Sequence, residues 1–134
     1  DGGKTWAQVT SSGGFGAPLW AASGDIYWAS SDGMAKSTDQ GAHFTDIAAN
    51  GQLKTTAPLE LPDGRIATVG SQAVMVSSDG AMTWQSASTA LPYGDATGLT
   101  YSTQQKAFFI WHFSCNDNVP TDAIMRFDFD YTKN

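Results

Sequence analysis

An eight-residue motif recurs along this chain and constrains its fold more than any other feature. The full motif is Ser-x-Asp-x-Gly-x-Thr-Trp, and whole or partial copies occupy residues 1–6, 37–44 and 77–84. Measured between the motif aspartates, the copies are 38 and 40 residues apart. A period of this size, with one supersecondary unit in each copy, indicates a β-propeller or a related repeat array.

The sequence also matches itself outside the motif at an offset of 40 residues. Ala-Pro-Leu at 17–19 recurs at 57–59, and Gly24 recurs as Gly64. Identity at turns and at apolar positions is what stacking of equivalent units requires. Each full copy reads as four short β-rich segments bounded by Gly, Asp and Ser. These predicted strands are 17–22, 25–30, 33–38 and 43–48, then 57–61, 65–70, 73–78 and 83–88.

A third copy is altered and divided between the two ends of the sequence. Residues 106–111 predict its second strand, and residues 123–126 match 73–76 at an offset of 50, with an insertion near 114–122. Residues 5–9 follow a motif copy and therefore predict a fourth strand. The predicted fold class is all-β, with blades of four antiparallel strands. A single domain over 1–134 is divided into about three blades: 1–10 plus 98–134, 11–50, and 51–97.

Three blades are fewer than the usual 4–8 of a closed propeller. The favoured expectation is that the chain is part of a longer propeller with further blades. A second interpretation is a six-bladed ring of two chains, in which each terminal strand completes the last blade of the other chain. The third is an open array. We therefore expect missing blades, a companion chain or a homodimer to complete the propeller.

The motif and its spacing resemble the Asp-box, or bacterial neuraminidase repeat, family. Sialidases, xyloglucanase-type glycoside hydrolases, sortilin-type receptors and propeller lectins share this repeat. The resemblance implies a folding device at the turn between strands three and four, whose aspartate accepts backbone hydrogen bonds and whose aromatic residue packs between sheets. Ala81 departs from the pattern, which has Gly there. The residues given this structural role are Asp1, Trp6, Asp39, Phe44, Asp79 and Trp84.

Composition and charge exclude some classes of partner. The net charge of −6 and the pI near 4.4 argue against nucleic acid, because phosphate binding needs clustered Lys and Arg. No apolar run approaches the roughly 18–20 residues of a membrane span, so no membrane partner is expected. The single Cys115 excludes an intrachain disulfide, and a buried thiol is favoured over a bond to another chain. We expect a secreted, extracellular protein.

The candidate ligand site is the 114–122 insertion together with the residues before it. This stretch offers an aromatic face, an imidazole, amides and carboxylates. Such mixtures bind sugars, because apolar sugar faces pack on aromatic rings while hydroxyls pair with amides and carboxylates. The alternative is a polar surface loop beside a core tryptophan. The predicted ligand-binding residues are Trp111, His112, Asn116, Asp117, Asn118, Asp122, Tyr93 and Asp95.

No cofactor or metal is expected, and Ca²⁺ is the alternative that the sequence leaves open. The oxygen ligands of the 114–122 loop are of the kind that Ca²⁺ takes, but their spacing does not match a twelve-residue EF-hand loop. His43, His112 and Cys115 lack the spacing of zinc ligands.

An enzymatic role is not favoured. The sialidase pattern needs three arginines around a carboxylate, and this sequence contains only Arg65 and Arg126. A glycosidase needs two carboxylates about 5–10 Å apart, and the sequence does not establish that geometry for Asp117 and Asp122. The sequence therefore predicts noncatalytic, lectin-like carbohydrate binding. The alternatives are a section of a larger xyloglucanase- or sialidase-like glycoside hydrolase, and a receptor or scaffold propeller that binds a protein.

Overall fold

The computed structural model describes residues 5–11, 14–30, 33–48, 53, 56–92, 96–113 and 123–133, and their regular structure is all β. The first sheet contains β1 (Gly14–Trp20), β2 (Ile26–Ser30), β3 (Gly33–Ser37) and β4 (Thr45–Ala48). The second contains β5 (Leu59–Glu60), β6 (Ile66–Val69), β7 (Val74–Ser77) and β8 (Gln85–Ser86). The third contains β9 (Gly98–Ser102), β10 (Ala107–His112) and β11 (Ala123–Asp128). The predicted all-β class is confirmed.

Within each sheet, neighbouring strands are consecutive in the sequence and antiparallel. The hairpin between the first two strands is the same in the first and second sheets. Gly24 and Gly64 have φ of +91° and +86°, a conformation that glycine adopts without steric cost. The strands predicted in the two full copies are all present. The segment predicted at 57–61 shortens to β5, since Pro58 and Pro62 flank it and proline has no N–H to donate.

The second sheet lies between the other two and shares a hydrophobic core with each. Successive residues of β6 point to opposite faces, so Ile66 joins the first core while Ala67 and Val69 join the second. Burial on both faces explains why β6 lacks an apolar–polar alternation. The first core contains Ala21, Tyr27, Ala29, Met34, Leu53, Ile66, Ala81 and Trp84. The second contains Leu61, Ala67, Val69, Val74, Val76, Ala96, Leu99, Phe108, Ile110 and Phe129.

The fourth strand predicted at residues 5–9 is not formed, which corrects the sequence interpretation. In the part of the chain that the structure describes, the third sheet has only three strands, and the sheets do not close into a ring. Trp6, expected to pack between sheets, is 97% exposed, and Val9 is 45% exposed. A strand needs a neighbour to satisfy its backbone groups, so β propensity alone does not form one.

Candidate functional site

Trp111 lies near the end of β10, directly opposite Gly98 of β9. A Cβ atom added at Gly98 would be 2.0 Å from Cζ2 of Trp111, so the indole rests against the glycine backbone. Phe108 and Ile110 belong to the core shared with the second sheet. Because successive side chains alternate, Trp111 faces the opposite way, onto the open face of the third sheet.

The backbone around Trp111 is fixed by Thr97. The Thr97 N–H donates to the Trp111 carbonyl at 2.8 Å, and the Phe113 N–H donates to Thr97 Oγ1 at 3.0 Å. Phe113 is 59% exposed, while His112 is partly exposed and pairs with Ala123 in the β10–β11 ladder. An aromatic surface therefore stands where β10 ends, immediately before residues 114–122. Sequence reasoning missed Phe113, although its position two residues after Trp111 was a usable signal.

The other predicted ligand-binding residues cannot be placed beside Trp111 and His112. These predicted residues all lie outside the described ranges, and they are Tyr93, Asp95, Asn116, Asp117, Asn118 and Asp122. The motif residue Asp1 also lies outside the described ranges. Their role as ligand-binding residues stays a prediction.

The first motif turn is organised by Ser37 and Asp39. The buried Ser37 hydroxyl donates to Asp39 Oδ1 at 2.8 Å and accepts the Gly41 N–H at 2.9 Å. Asp39 Oδ1 also accepts the His43 N–H at 2.9 Å, and Oδ2 lies 2.6 Å from His43 Nδ1. Phe44 after this turn is partly buried. The carboxylate is thus engaged by the turn that it closes.

The second motif turn repeats this network forty residues later. Ser77 Oγ donates to Asp79 Oδ1 at 2.8 Å and accepts the Ala81 N–H at 2.9 Å. The hydroxyl of Thr83 takes the place of the imidazole and donates to Asp79 Oδ2. Trp84 is 9% exposed, and its Nε1–H donates to the Ala81 carbonyl at 3.1 Å. Ala81 has φ of +73°, a left-handed conformation that costs a non-glycine residue about 1–2 kcal/mol.

Hydrogen bonding makes both motif carboxyls stronger acids. The backbone N–H and the imidazole of His43 lower the pKa of Asp39 to about 2. The hydroxyl and backbone N–H of Thr83 lower the pKa of Asp79 to about 2. A general acid near neutral pH needs a pKa raised toward the working pH, so neither carboxyl is suited to that role. Their contacts fit the closing of a turn.

The two arginines do not form a common anion site. Arg65 Nη2 lies 2.7 Å from the Asp63 carboxylate and donates to the Tyr131 carbonyl at 2.9 Å. Arg126 Nη2 lies 2.8 Å from Asp128 on the same strand, β11. Each guanidinium is therefore held by a nearby carboxylate on its own part of the fold.

A groove of about 530 Å³ separates β4 from the motif turn of the second sheet, and sequence reasoning missed it. Apolar Ile47 and Met82 line it together with Lys36, His43 and Asp46. The Lys36 ammonium lies 2.9 Å from the Asp25 carboxylate, which offsets its charge. The groove is therefore lined by apolar side chains and by charged side chains of both signs.

Over the described ranges, no cluster of three or more His, Cys, Asp or Glu side chains is arranged to hold a metal ion. The same part of the chain contains no helix with the length and apolar character of a membrane span.

Comparison of this chain with protein-family models, with curated proteins and with solved structures found no match. The resemblance to Asp-box proteins therefore rests on the motif and its period.

Proposed function

We propose that this chain is a noncatalytic carbohydrate-binding protein built as part of a β-propeller. Three features support the blade interpretation: antiparallel four-stranded sheets, face-to-face stacking through shared cores, and one motif turn repeated after forty residues. The blade that carries the sugar is the third sheet, which contains β9, β10 and β11.

The observation that carries the sugar-binding proposal is the position of Trp111. Its indole is held against Gly98 and faces away from the second sheet, with Phe113 exposed beside it. A ring already fixed by packing loses little entropy when a sugar face stacks on it. Polar groups for the sugar hydroxyls come from His112 and from the adjoining 114–122 segment, whose amides and carboxylates suit that task.

Sugar binding can be tested on a glycan array, followed by calorimetric titration of any sugar that binds. Trp111→Ala should weaken binding about two- to tenfold, because an aromatic contact contributes roughly 0.5–1.5 kcal/mol. Trp20→Ala is the matched control, since Trp20 is 65% exposed on the first sheet. Gly98→Ala displaces the indole without removing it, and it should weaken binding as well.

Two results would contradict the proposal. One is an array on which no sugar binds the folded protein. The other is unchanged affinity in a folded Trp111→Ala variant. Release of sugar from xyloglucan or sialosides, abolished by one carboxylate substitution, would instead support the hydrolase alternative.

A further inference from the structure

An imidazole and a thioether line the same groove, the one between β4 and the second motif turn. They belong to His43 and Met82. The His43 side chain is 88% exposed and Met82 is 69% exposed, so neither contributes much to the packing of the cores. Nitrogen and sulfur donors of these two kinds are ligands that soft metal ions take in proteins.

Asp39 holds the His43 ring in one orientation. Asp39 Oδ2 lies 2.6 Å from His43 Nδ1, and Asp39 Oδ1 accepts the His43 backbone N–H at 2.9 Å. Because hydrogen bonding lowers the pKa of Asp39 to about 2, its carboxylate is ionised at neutral pH and accepts the Nδ1–H. The neutral ring then carries its lone pair on Nε2. Metal-binding histidines are commonly held in this way, with the other ring nitrogen bonded to a carboxylate.

The second repeat shows that the motif turn does not require an imidazole. Thr83 takes the position of His43 and closes its turn through a hydroxyl that donates to Asp79 Oδ2. The equivalent groove, between the second and third sheets, has a volume of about 200 Å³ and is lined by Thr83, Ala87 and Phe129 among others. Among the described residues, no histidine or methionine lines that second groove. The pair of soft donors is therefore a property of the first groove and not of the repeat.

Two contacts bring the segments of His43 and Met82 together. Lys36 pairs with Thr45 in the β3–β4 ladder. The Lys36 ammonium also reaches the second motif turn, since it lies 3.0 Å from the position that a Cβ atom of Gly80 would take. His43 precedes Thr45 by two residues and Met82 follows Gly80 by two, so each is at most about 7 Å of backbone from its contact residue. The unbranched Met82 side chain has three rotatable bonds, which lets its sulfur adjust to the imidazole.

We propose that His43 Nε2 and the Met82 sulfur together bind one Cu(I) ion in this groove. The thioether decides the metal, because soft sulfur ligands select Cu(I), whereas Ca²⁺ and Mg²⁺ take oxygen. Cu(I) accepts low coordination numbers, so a pair of protein donors suffices. Zinc fits less well, since it takes three or four protein ligands, and the described residues hold no group of three His, Cys, Asp or Glu side chains arranged for a metal.

The charges around the groove permit a cation. The Lys36 ammonium is paired with the Asp25 carboxylate at 2.9 Å, so the two charges offset each other. Asp39 and Asp46 line the same groove and add negative charge beside the donors. The chain as a whole has a net charge of −6. A monovalent cation therefore approaches the groove through a favourable field.

Titration with Ag(I) tests the site, because Ag(I) has the charge and the softness of Cu(I) without its redox chemistry. The chain carries Cys115→Ser, which removes the single thiol that would compete for the metal. In chloride-free buffer at about pH 8, where a model imidazole is neutral, calorimetry should show one Ag(I) bound per chain. Cu(I) kept reduced with ascorbate should compete with Ag(I) for the same site.

Two substitutions each remove one donor while preserving the fold. His43→Thr introduces the residue that closes the second motif turn, and Met82→Leu keeps the volume of an exposed side chain. Each should weaken Ag(I) binding about tenfold or more, since losing even a residue that orients a metal ligand costs about 10–100-fold in affinity. Met125→Leu is the matched control, because Met125 is a partly exposed thioether on β11, and it should leave the affinity unchanged.

Proton–nitrogen NMR of the His43 ring identifies the nitrogen that binds the metal. In the metal-free chain Nδ1 should carry the proton and Nε2 should not, because Asp39 accepts the Nδ1–H. Addition of Ag(I) should then shift the Nε2 resonance most. A metal-dependent shift confined to Nδ1 would overturn the proposed geometry.

Three results of the titration would overturn the proposal itself, with thermal unfolding used to confirm that each variant is folded. The first is the absence of Ag(I) binding by the Cys115→Ser chain. The second is unchanged affinity in His43→Thr or in Met82→Leu. The third is loss of binding in Met125→Leu, which would place the metal on the third sheet. Sugar binding is independent of these outcomes, since Trp111 lies on β10 and the groove lies between the first and second sheets.

Discussion

Replacing Ser77 with alanine removes the hydroxyl at the centre of the second motif turn. The side chain is 1% exposed, donates to Asp79 at 2.8 Å and accepts the Ala81 N–H at 2.9 Å. Ala81 is itself 1% exposed, so water cannot easily replace the lost acceptor. The substitution therefore breaks these two short hydrogen bonds and a longer one of 3.4 Å from the Asp79 N–H, and it leaves the buried Ala81 N–H without its acceptor.

The expected loss of unfolding free energy is about 2–3 kcal/mol. Each lost hydrogen bond contributes about 1 kcal/mol, and an unpaired buried N–H adds up to about 1 kcal/mol more. Against the 5–15 kcal/mol typical of a folded domain, this is a large fraction. For a chain of this size it corresponds to a fall in melting temperature of roughly 6–12 °C.

The measurement is urea unfolding followed by tryptophan fluorescence and by circular dichroism, compared at equal m value. Ser37→Ala is an internal replicate, because Ser37 makes the same contacts at 2.8 and 2.9 Å. Ser78→Ala, at an exposed neighbouring position, is the control and should change stability by less than about 0.5 kcal/mol. If Ser77→Ala were indistinguishable from Ser78→Ala, the proposed stabilising role of the motif hydroxyl would be wrong.

Three further outcomes are expected. Gly98→Ala should lower the free energy of unfolding by about 1–3 kcal/mol, because the alanine Cβ would lie 2.0 Å from Trp111 and force the indole to move. An unchanged melting temperature and an unchanged tryptophan spectrum would contradict this. Hydrogen bonds within their turns lower the pKa of Asp39 and Asp79 from 3.8 to about 2. The ionised carboxylates therefore stabilise the folded protein fully above about pH 4, and this contribution is lost as the pH falls through 2. The urea midpoint of unfolding, measured at decreasing pH, should fall over this range. The fall should be shallower in the double variant Asp39→Asn, Asp79→Asn, and an equally steep fall in that variant would show that these carboxyls do not cause it. Phe108→Ala should cost about 3–5 kcal/mol in urea unfolding, because this fully buried ring fills the core between the second and third sheets; a cost below about 1 kcal/mol would show that the core collapses around it.

The candidate site was only partly accessible to sequence reasoning. The aromatic and imidazole groups at Trp111 and His112 could be chosen by residue type and by their place before an insertion. The support of Trp111 by Gly98 could not, because it depends on the register between β9 and β10. The groove beside Ile47 was missed for the same reason, since it forms only where two sheets meet.

The sequence by itself determined where the strands and turns of the two full repeats lie. Strand-forming residues, turn glycines such as Gly24 and the Ser–Asp network of the motif act over a few neighbouring residues, so a local pattern suffices to specify them. Tertiary structure decided which segments find partners. Residues 5–9 carry the same local pattern as β4, yet Trp6 is exposed, because a strand exists only where another backbone accepts its hydrogen bonds.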